Sequence, residues 1–248
     1  MPPPQISILV PAYGEAATIE TVVRRVTGLG LDAEIIVVDD GSQDATSQIV
    51  TRLADELPGV QLIRHEHNQG KGAAVRTAIA ASTGSIVLIQ DADLEYDPAD
   101  IPKLLAPLLA GVADVVYGTR LRGGEPQRAH LFWHYAGNRF LSLLTNVLFN
   151  TTISDMEVGY KAFDGDLVRS LKIVSHDFAF EPEITARVLL TPGIRLYEVP
   201  ISYYGRTYAE GKKIVFMDGV IALWLVIRFN LFCSLRASFR ELPELKKK

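Results

Sequence analysis

The sequence predicts an α/β fold with a mostly parallel, doubly wound sheet. Five short apolar segments, rich in β-branched side chains, occur in the first half of the chain, and each has about the length of a strand. Segments with helical spacing separate them. Strands that alternate with helices build a parallel sheet with helices on both faces, and continuous apolar strands suit a sheet that is buried on both sides.

The predicted elements follow one another in regular order. We expect strands at residues 6–10, 34–38, 61–64, 85–89 and 114–117. Apolar positions of the intervening helices recur every three or four residues: Ile19, Val22, Val23 and Val26, then Ile49, Leu53 and Leu57, then Val75, Ala78 and Ile79. In such a sheet the ligand lies beyond the carboxyl ends of the strands, so the residues that follow each strand are the candidates for function.

Composition excludes several classes of protein. At 248 residues the chain is long enough for one or two domains and for a core that needs no disulfide or metal to fold. Its single cysteine, Cys233, excludes a disulfide scaffold and a cysteine-based zinc site. A formal net charge of −4 argues weakly against a general nucleic-acid-binding protein, whose domain is normally basic.

Acidic residues are concentrated where the predicted strands end. Polar or glycine-rich segments follow the five strands at residues 10–15, 39–46, 68–72, 91–93 and 118–120. Asp39, Asp40, Asp91 and Asp93 should therefore converge on one rim of the sheet. Like charges this close are unfavourable unless a cation or a hydrogen-bonding ligand compensates them.

The Asp91-Ala92-Asp93 segment predicts a metal site. In an extended segment, residues i and i+2 point the same way, so both carboxylates can bind one Mg²⁺ or Mn²⁺. Glu95 continues this spacing and completes a predicted set of Asp91, Asp93 and Glu95. The alternative is that one aspartate only caps the next helix. We favour the metal site because the pair follows a buried strand.

Other nucleotide and metal motifs do not fit. Residues 69–72 are not a P-loop, because the glycine four residues earlier and the hydroxyl residue after the lysine are missing. The Gly-x-Gly-x-x-Gly motif that is typical of dinucleotide-binding sites does not follow the first strand, so the sequence does not support such a site. The five histidines form no recognisable metal-binding pattern.

Residues 37–46, 70–73 and 91–93 together resemble the GT-A-fold (Rossmann-like) family 2 glycosyltransferases. Residues 154–163, 180–183 and 206–214 are similar to the polyprenyl-phosphate (dolichyl-phosphate) hexose synthase branch. The resemblance extends from about residue 7 to residue 222. It implies a metal-dependent transferase that moves a hexose from a nucleotide sugar to a polyprenyl phosphate, with GDP-mannose as the first donor and UDP-glucose or a UDP-N-acetylhexosamine next.

The resemblance also implies roles for individual residues on the donor side. Nucleotide-sugar binding is assigned to Pro11, Ala12, Tyr13, Glu15, Asp39 or Asp40, Lys71 and Asp91. Asp93 and Glu95 would bind Mg²⁺ or Mn²⁺ together with Asp91. Some relatives carry glutamine where this chain has Glu95.

On the acceptor side, the resemblance places Arg120 against the acceptor phosphate. A second arginine, either Arg128 or Arg139, is left open. Arg206, Lys212 and Lys213 can also position a phosphate. A phosphate monoester is mostly dianionic at neutral pH and therefore needs no general base. In-line attack on the anomeric carbon would invert its configuration. The expected catalytic set is Asp91, Asp93, Arg120 and Arg206.

Residues 131–149 form a predicted amphipathic helix. Its polar side comprises His134, Asn138, Arg139, Ser142, Thr145 and Asn146, and its apolar side comprises Trp133, Phe140, Leu143, Leu144, Val147 and Leu148. An apolar stripe of this kind commonly faces a core. The alternative is a surface at the bilayer interface.

A second segment, residues 215–240, favours the membrane interpretation. Asp218, Arg228, Arg236 and Arg240 share one arc, and apolar side chains fill the rest. The segment is too charged to span a bilayer and too apolar for a free surface helix. We therefore predict a catalytic domain at residues 1–213, membrane-interface helices with a basic tail at 214–248, and a peripheral location on the cytoplasmic face of a membrane. Alternatively, these helices pair with a second subunit or with a membrane protein.

Two further functional hypotheses remain open from the sequence. One is a transferase with another acceptor, such as a protein, a glycan or diacylglycerol. The other is an inactive, membrane-associated module that only binds a nucleotide sugar. The acidic and basic residues named above count against the inactive module.

Overall fold

A central sheet organises the chain. The computed structural model describes residues 5–128, 132–177, 179–206, 216–232 and 238–239, with side chains given for residues 221–229 of the helix at 216–232. The described strands are β1 Ile6–Ala12, β2 Ala33–Asp39, β3 Val60–Arg64, β4 Ile86–Ile89, β5 Val115–Thr119, β6 Lys161–Asp164 and β7 Leu196–Pro200. Their order is β3-β2-β1-β4-β6-β5-β7. Only β6 among them runs antiparallel to its neighbours, which confirms the predicted mostly parallel α/β fold.

Helices cover the sheet. They are α1 Ile19–Thr27, α2 Thr46–Glu56, α3 Lys71–Ala81, α4 Ile101–Leu109, α5 Phe132–Phe149, α6 Gly165–Ser170, α7 Phe180–Leu189 and α8 Phe216–Phe232. A short 3₁₀ turn, Pro98–Asp100, precedes α4, and the Asp97 side chain caps it by accepting a hydrogen bond from the Ala99 amide at 3.0 Å. The side-chain cap of this turn is thus Asp97, and the residue that begins α4 is preceded by Asp100, so neither Asp91 nor Asp93 caps these helices.

The five predicted strands are present, and their apolar side chains form the core. Val37, Val38, Leu88 and Ile89 are completely inaccessible to solvent, as expected for strands covered on both faces. The sequence analysis did not predict β6 or β7. Strand β6 is four residues long, starts with the charged Lys161 and is inserted between β4 and β5. Such a segment lacks the apolar run on which the strand predictions depend.

Helix α5 directs its polar side toward the protein. Ser142 and Thr145 are each only 2% exposed. The Asn146 side chain pairs with the backbone of Ile153 through two 2.8 Å hydrogen bonds. On the other side, Trp133 is 81% exposed and Val147 70% exposed. The predicted amphipathic helix is confirmed, and most of its apolar stripe is exposed, which does not fit the core-facing alternative.

Helix α8 packs against α5 and α7. Leu225 and Phe229 are buried against Ala186 of α7, whereas Trp224 is 57% exposed. The exposed Arg228 guanidinium lies 5.1 Å from the centre of the Trp224 ring. Among the described residues, no helix combines the length and the apolar character that a membrane crossing requires.

Several predicted residues of the C-terminal segment lie outside the described part of the chain. They are the side chain of Asp218, and Arg236, Arg240 and the terminal lysines. The division into domains at residue 213 stays a prediction.

Candidate active site

The loops that follow β1 and β2 are joined by hydrogen bonds. The amide of Gly14 donates to Ser42 Oγ at 2.9 Å, and the amide of Glu15 donates to Thr46 Oγ1 at 3.0 Å. Gly14 has a φ of 67°, a left-handed conformation that glycine adopts without strain. These contacts fix the start of the first loop at the carboxyl end of the sheet.

The predicted donor-side residues of β1 differ in accessibility. Pro11 and Ala12 are buried at the end of β1, so their side chains are not open to a ligand. Tyr13 is 41% exposed at the same edge. Of these three predicted binding residues, Tyr13 is the one whose side chain a ligand can reach.

Asp40 organises the loop before α3. Its carboxylate accepts hydrogen bonds from the amides of Gln69 at 3.0 Å and Gly70 at 2.8 Å, and it lies 2.6 Å from His65 Nδ1. The side chain is almost fully buried. These partners occupy both oxygens, so Asp40 is placed for a structural role.

Asp39 has unused hydrogen-bonding capacity. Its Oδ1 accepts a hydrogen bond from the Ser42 amide at 3.0 Å. Its buried Oδ2 has no hydrogen-bond partner in the described part of the chain, and Arg64 Nε approaches it at 3.7 Å. The structure thus separates the two adjacent candidates: both oxygens of Asp40 are used, whereas Asp39 keeps one oxygen without a hydrogen bond, inaccessible to solvent in this structure.

Lys71, the first residue of α3, neutralises Asp91. Its Nζ lies 2.8 Å from Asp91 Oδ1 and 3.3 Å from Glu181 Oε1. The other oxygen of Glu181 pairs with the buried Lys161. Burial alone would lower the pKa of Lys71, but the Asp91 and Glu181 carboxylates raise it above its ordinary value. Positive and negative groups therefore alternate from Asp91 to Lys161 beneath the site.

Asp93 lacks a comparable cationic partner. Its Oδ1 accepts a hydrogen bond from the Glu95 amide at 3.1 Å. Burial and the neighbouring carboxylates of Asp91 and Glu95 raise the pKa of Asp93 to about 7. Asp93 is thus the acidic group at this rim whose charge is least well compensated.

Asp91 requires a glycine beside it. A Cβ added to Gly159 would lie 2.1 Å from Asp91 Oδ2, closer than any real contact. Gly159 belongs to the segment at 154–163 that the sequence analysis singled out. The absence of a side chain at this position lets the Asp91 carboxylate occupy its place.

Glu95 does not join the two aspartates. Its Oε1 accepts a hydrogen bond from the Arg206 amide at 2.7 Å, and its Oε2 accepts one from Tyr203 Oη at 2.9 Å. No three acidic, histidine or cysteine side chains of the described ranges come together as a metal cluster. Leu94 has a φ of 61°, which interrupts the extended backbone. The two-residue alternation that predicted a common direction for Asp91, Asp93 and Glu95 therefore ends before Glu95.

Arg206 connects three parts of the site. Its guanidinium lies 3.1 Å from Glu15 Oε2 and donates a hydrogen bond to the backbone oxygen of Asp93 at 2.6 Å. The predicted residues Glu15, Asp93 and Arg206 are thus brought together. The predicted Lys212 and Lys213 lie outside the described residues.

Arg120 is paired with an acidic residue that the sequence analysis left without a role. Its Nε and one terminal nitrogen each lie 2.7 Å from the carboxylate of Asp155, which is inaccessible to solvent. Burial would raise the pKa of Asp155, but the Arg120 guanidinium holds it below its usual range. Asp155 therefore occupies the Nε and one terminal nitrogen of Arg120, and the role of Arg120 toward an acceptor phosphate stays a prediction.

The two candidates for the second arginine lie in different surroundings. Arg128 donates a hydrogen bond to the backbone oxygen of Gly205 at 3.0 Å, beside the segment that carries Arg206. Arg139 is exposed on α5. The structure does not choose between them.

Four further residues of the site received no role from sequence alone. Asp155, Glu157, Lys161 and Glu181 all lie within segments whose pattern had been noted, at 154–163 and 180–183. The buried Oε1 of Glu157 has no hydrogen-bond partner among the described residues. Burial and the nearby Glu181 carboxylate raise the pKa of Glu157 to about 7. The sequence patterns at 154–163 and 180–183 indicated that these segments belong to the site, but they did not show which of their side chains point into it.

Taken together, the rim holds acidic groups at its centre and arginines around it. The centre, at Asp91 and Asp93, suits a cation or hydrogen-bond donors. The Arg206 side chain is 22% exposed. Its guanidinium suits an anionic group. A site of this kind can hold two phosphate-bearing molecules close together.

Comparison with known proteins supplies relatives for this arrangement. The profile described as Glycosyl transferase family 2 matches residues 7–170. An uncharacterised protein of Methanocaldococcus jannaschii is 31% identical over 222 residues, which cover 84% of this chain and 93% of that protein. The undecaprenyl-phosphate mannosyltransferase of Micrococcus luteus is 28% identical over 84% of this chain and 87% of its own length.

A solved structure shares the fold. Glucosyl-3-phosphoglycerate synthase from Mycobacterium tuberculosis, in complex with Mn²⁺ and UDP-glucose, superposes with a TM-score of 0.72 at 21% identity. The match covers 92% of this chain and 79% of that one. It supports the same layout of sheet and helices.

The raised pKa of Glu157 predicts a pH-dependent loss of stability. Between about pH 4.5 and pH 7 the folded protein retains a proton that the unfolded chain has released. Raising the pH through this interval therefore lowers the free energy of unfolding, by about 3 kcal/mol in all. Glu157→Gln removes this contribution. In urea titrations, we expect the variant and the native protein to be similar near pH 5, and the variant to be more stable near pH 8.

Other titrating groups are common to both proteins and cancel in the difference. Parallel stability profiles for the native protein and Glu157→Gln between pH 5 and pH 8 would show that Glu157 is ionised normally in the fold.

Proposed function

The chain belongs to glycosyltransferase family 2, and we propose that it transfers a hexose from a nucleotide sugar to a polyprenyl phosphate. The observation that carries the proposal is the orientation of α5. Its polar side reaches the site, where Asn138 Nδ2 donates to Asp155 Oδ1 at 2.7 Å. Its apolar side is exposed, with Trp133 and Val147 the most open. One helix thus links an apolar surface to the residue that holds Arg120.

A lipid acceptor explains this arrangement. The phosphate of a polyprenyl phosphate must reach the site while its isoprenoid chain stays in an apolar phase. An apolar surface on α5 and α8, defined by Trp133, Phe140, Leu143, Val147, Ile221 and Trp224, is exposed beside the site. A soluble acceptor, including a phosphoglycerate, gives no reason for such a surface. Exposed apolar side chains on two helices that pack against each other favour an interaction with a membrane or a protein.

For the donor, we propose GDP-mannose first and UDP-glucose or a UDP-N-acetylhexosamine next. The Micrococcus luteus relative is named as a mannosyltransferase acting on undecaprenyl phosphate, and the solved neighbour binds UDP-glucose. On this chain, Asp39 Oδ2, which is buried and accepts no hydrogen bond from the described residues, would accept one from a hydroxyl or base N–H of the nucleotide. Tyr13 lies exposed at the same edge.

Asp91 and Asp93 fit a divalent cation. Burial and the carboxylates of Asp91 and Glu95 raise the pKa of Asp93 to about 7, so a bound cation would favour its charged form. Carboxylate oxygens are the ligands that Mg²⁺ and Mn²⁺ prefer. The solved neighbour is described with Mn²⁺. When bound, the cation would neutralise the charge that develops on the leaving nucleoside diphosphate. Glu95, which contacts Arg206 and Tyr203 in this structure, stays a predicted third ligand.

The chain's own residues would then bring the reactants together. Arg206 would bind the acceptor phosphate in exchange for Glu15, to which it is now paired. A phosphate oxygen attacks the anomeric carbon; a carbon–oxygen bond forms as the bond to the diphosphate breaks, and the configuration inverts. No general base is required, because the acceptor is mostly dianionic near pH 7. Arg120, which is held in place by its ion pair with Asp155, would contribute positive charge near the acceptor phosphate. Lys212 and Lys213 stay predicted acceptor residues.

We further propose that the protein binds peripherally to the cytoplasmic face of a membrane through α5 and α8. The support is the exposed apolar surface, with Arg139 and Arg228 exposed on the same two helices. Basic side chains favour an anionic leaflet. A homo-oligomer or a membrane-protein partner would cover the same surface and is the alternative outcome.

The reaction predicts a specific product. The protein is incubated with farnesyl phosphate, Mn²⁺ and one nucleotide sugar at a time: GDP-mannose, UDP-glucose or UDP-N-acetylglucosamine. With one of these donors it should attach the hexose to the phosphate of farnesyl phosphate. Mass spectrometry of the lipid fraction measures it. Asp93→Asn, which keeps the shape but removes the charge, should lower turnover by about 100-fold or more because cation binding is lost. A parallel incubation with 3-phosphoglycerate in place of farnesyl phosphate tests whether the acceptor is soluble.

If the protein binds nucleotide but forms no glycosylated lipid with any of the donors, the proposal of a polyprenyl-phosphate acceptor is contradicted. Thermal shift with GDP, UDP and Mn²⁺ separates this outcome from the inactive module. Glucosylated phosphoglycerate in place of lipid product would identify the soluble acceptor.

The two adjacent aspartates predict different phenotypes. Asp39→Asn keeps the acceptor for the Ser42 amide and changes the group that faces the ligand, so nucleotide affinity should fall about tenfold at nearly native stability. Asp40→Asn removes charge from a group that holds two amides, and the free energy of unfolding should fall by about 2 kcal/mol. Isothermal titration with the active nucleotide and urea unfolding measure the two effects. Equal phenotypes would show that the assignment is wrong.

Membrane binding predicts an effect of Trp133. Burial of a large apolar side chain contributes roughly 1.5–3 kcal/mol, so Trp133→Ser should lower partition into phosphatidylglycerol-containing vesicles about tenfold or more. Leu109→Ser is the matched control, because Leu109 is 52% exposed on α4. Sedimentation with vesicles measures both. Equal binding by both variants would contradict this docking surface.

A further inference from the structure

Two tyrosines join the loop at 90–97 to the segment that leads into β6. Tyr96 belongs to the loop, and its Oη accepts a hydrogen bond from the Gly159 amide at 3.0 Å. Tyr160, the residue after Gly159, contacts the loop in return, because its Oη donates to Gln90 Oε1. The two tyrosine rings are stacked, with centres 4.9 Å apart and planes inclined by 16°. The loop and the segment are therefore held together from both sides.

Gly159 forms one wall of the space that the Asp91 carboxylate occupies. Asp91 Oδ2 lies where a Cβ of residue 159 would be. The other oxygen, Oδ1, lies 2.8 Å from Lys71 Nζ. The carboxylate is thus held between an ammonium group on one side and the Gly159 backbone on the other. A movement of Gly159 away from the loop would let the carboxylate turn.

The Tyr96 hydroxyl is the group that holds this wall in place. Tyr96 is only 4% exposed, and Gly159 is buried as well. A buried amide that loses its acceptor is unfavourable, since water does not replace the lost partner easily. Without the hydroxyl, Gly159 therefore gains by moving toward another acceptor.

We propose that Tyr96 is a positioning residue that acts through the Gly159 amide and fixes the direction of the Asp91 carboxylate. The inference rests on the proposed function for what Asp91 binds, which is the nucleotide sugar and its cation. Loss of the hydroxyl should therefore weaken binding of the donor and leave use of the acceptor unchanged.

Two phenylalanine variants separate this role from the loss of a buried hydroxyl as such. Tyr96→Phe keeps the ring that stacks on Tyr160 and lies 5.6 Å from the ring of Tyr203. Tyr117→Phe is the matched control. Tyr117 is fully buried, and its Oη lies 3.0 Å from Thr185 Oγ1. Both variants remove one hydroxyl that takes part in a buried hydrogen bond, but only Tyr96→Phe removes the acceptor for Gly159.

Hydrogen–deuterium exchange followed by nuclear magnetic resonance tests the contact in the full chain without any substrate. The Gly159 amide should exchange about tenfold faster or more in Tyr96→Phe, and within about threefold of the native rate in Tyr117→Phe. Native exchange at Gly159 in Tyr96→Phe would overturn the proposal.

Nucleotide affinity tests the consequence for Asp91. Isothermal titration is carried out with GDP and with UDP, each in the presence of Mn²⁺. For the nucleotide that the native protein binds, the dissociation constant should rise about tenfold in Tyr96→Phe and stay within about twofold in Tyr117→Phe. Native affinity in Tyr96→Phe would overturn the proposal. If the native protein binds neither nucleotide, the proposed function fails, and the exchange experiment still decides whether Tyr96 holds Gly159.

A double variant shows whether Tyr96 acts through Gly159. In Gly159→Ala the new Cβ takes the place of Asp91 Oδ2 and displaces the carboxylate directly, so nucleotide affinity should fall about tenfold or more although Tyr96 is intact. Adding Tyr96→Phe should then cause no further loss, because its effect depends on the same displacement. Losses that multiply in the double variant would overturn the proposal.

Kinetics then place the effect on one side of the reaction. With farnesyl phosphate as acceptor, Tyr96→Phe should raise the donor KM about tenfold and leave the acceptor KM unchanged. A rise in acceptor KM with no change in donor KM would contradict the assigned role.

Discussion

The arrangement of the site depends on the negative charge that follows β4. Asp91, Asp93 and Glu95 lie within five residues, and each is accommodated in a different way. Asp91 is paired with Lys71. Glu95 turns to an amide and a hydroxyl of the segment at 203–206. Asp93 has no comparable cationic partner among the described residues, and burial beside Asp91 and Glu95 raises its pKa to about 7.

The sequence predicted the parts of the fold that depend on local pattern. The first five strands are apolar throughout, and buried parallel strands have this property. Strand β6 begins with the buried Lys161, whose charge is compensated by Glu181, 20 residues away, and whose ammonium also donates to the backbone oxygens of Met156 and Val158. That partner is supplied by the tertiary structure, so the strand carries no local signal.

For the site, the strand-end rule located the loops but not the directions of side chains. Asp39 and Asp40 are neighbours in sequence, and neighbours along an extended chain point to opposite sides. One of them therefore enters the loop before α3, and the other keeps a free oxygen. The left-handed backbone at Leu94 likewise cannot be deduced from spacing, and it ends the two-residue alternation before Glu95, whose side chain contacts the segment at 203–206. Helix α5 shows the same limit, because its amphipathic pattern does not say which face the protein covers.

The hydrogen bonds between the loops after β1 and β2 have a consequence for the speed of recognition. Gly14, Glu15 and Ala16 present their amides to side chains of the second loop, so the first loop is ordered by folding itself. The entropy of that ordering is lost before any ligand arrives. Association with this edge of the sheet then needs no slow rearrangement of the first loop, and its rate is set by diffusion and orientation.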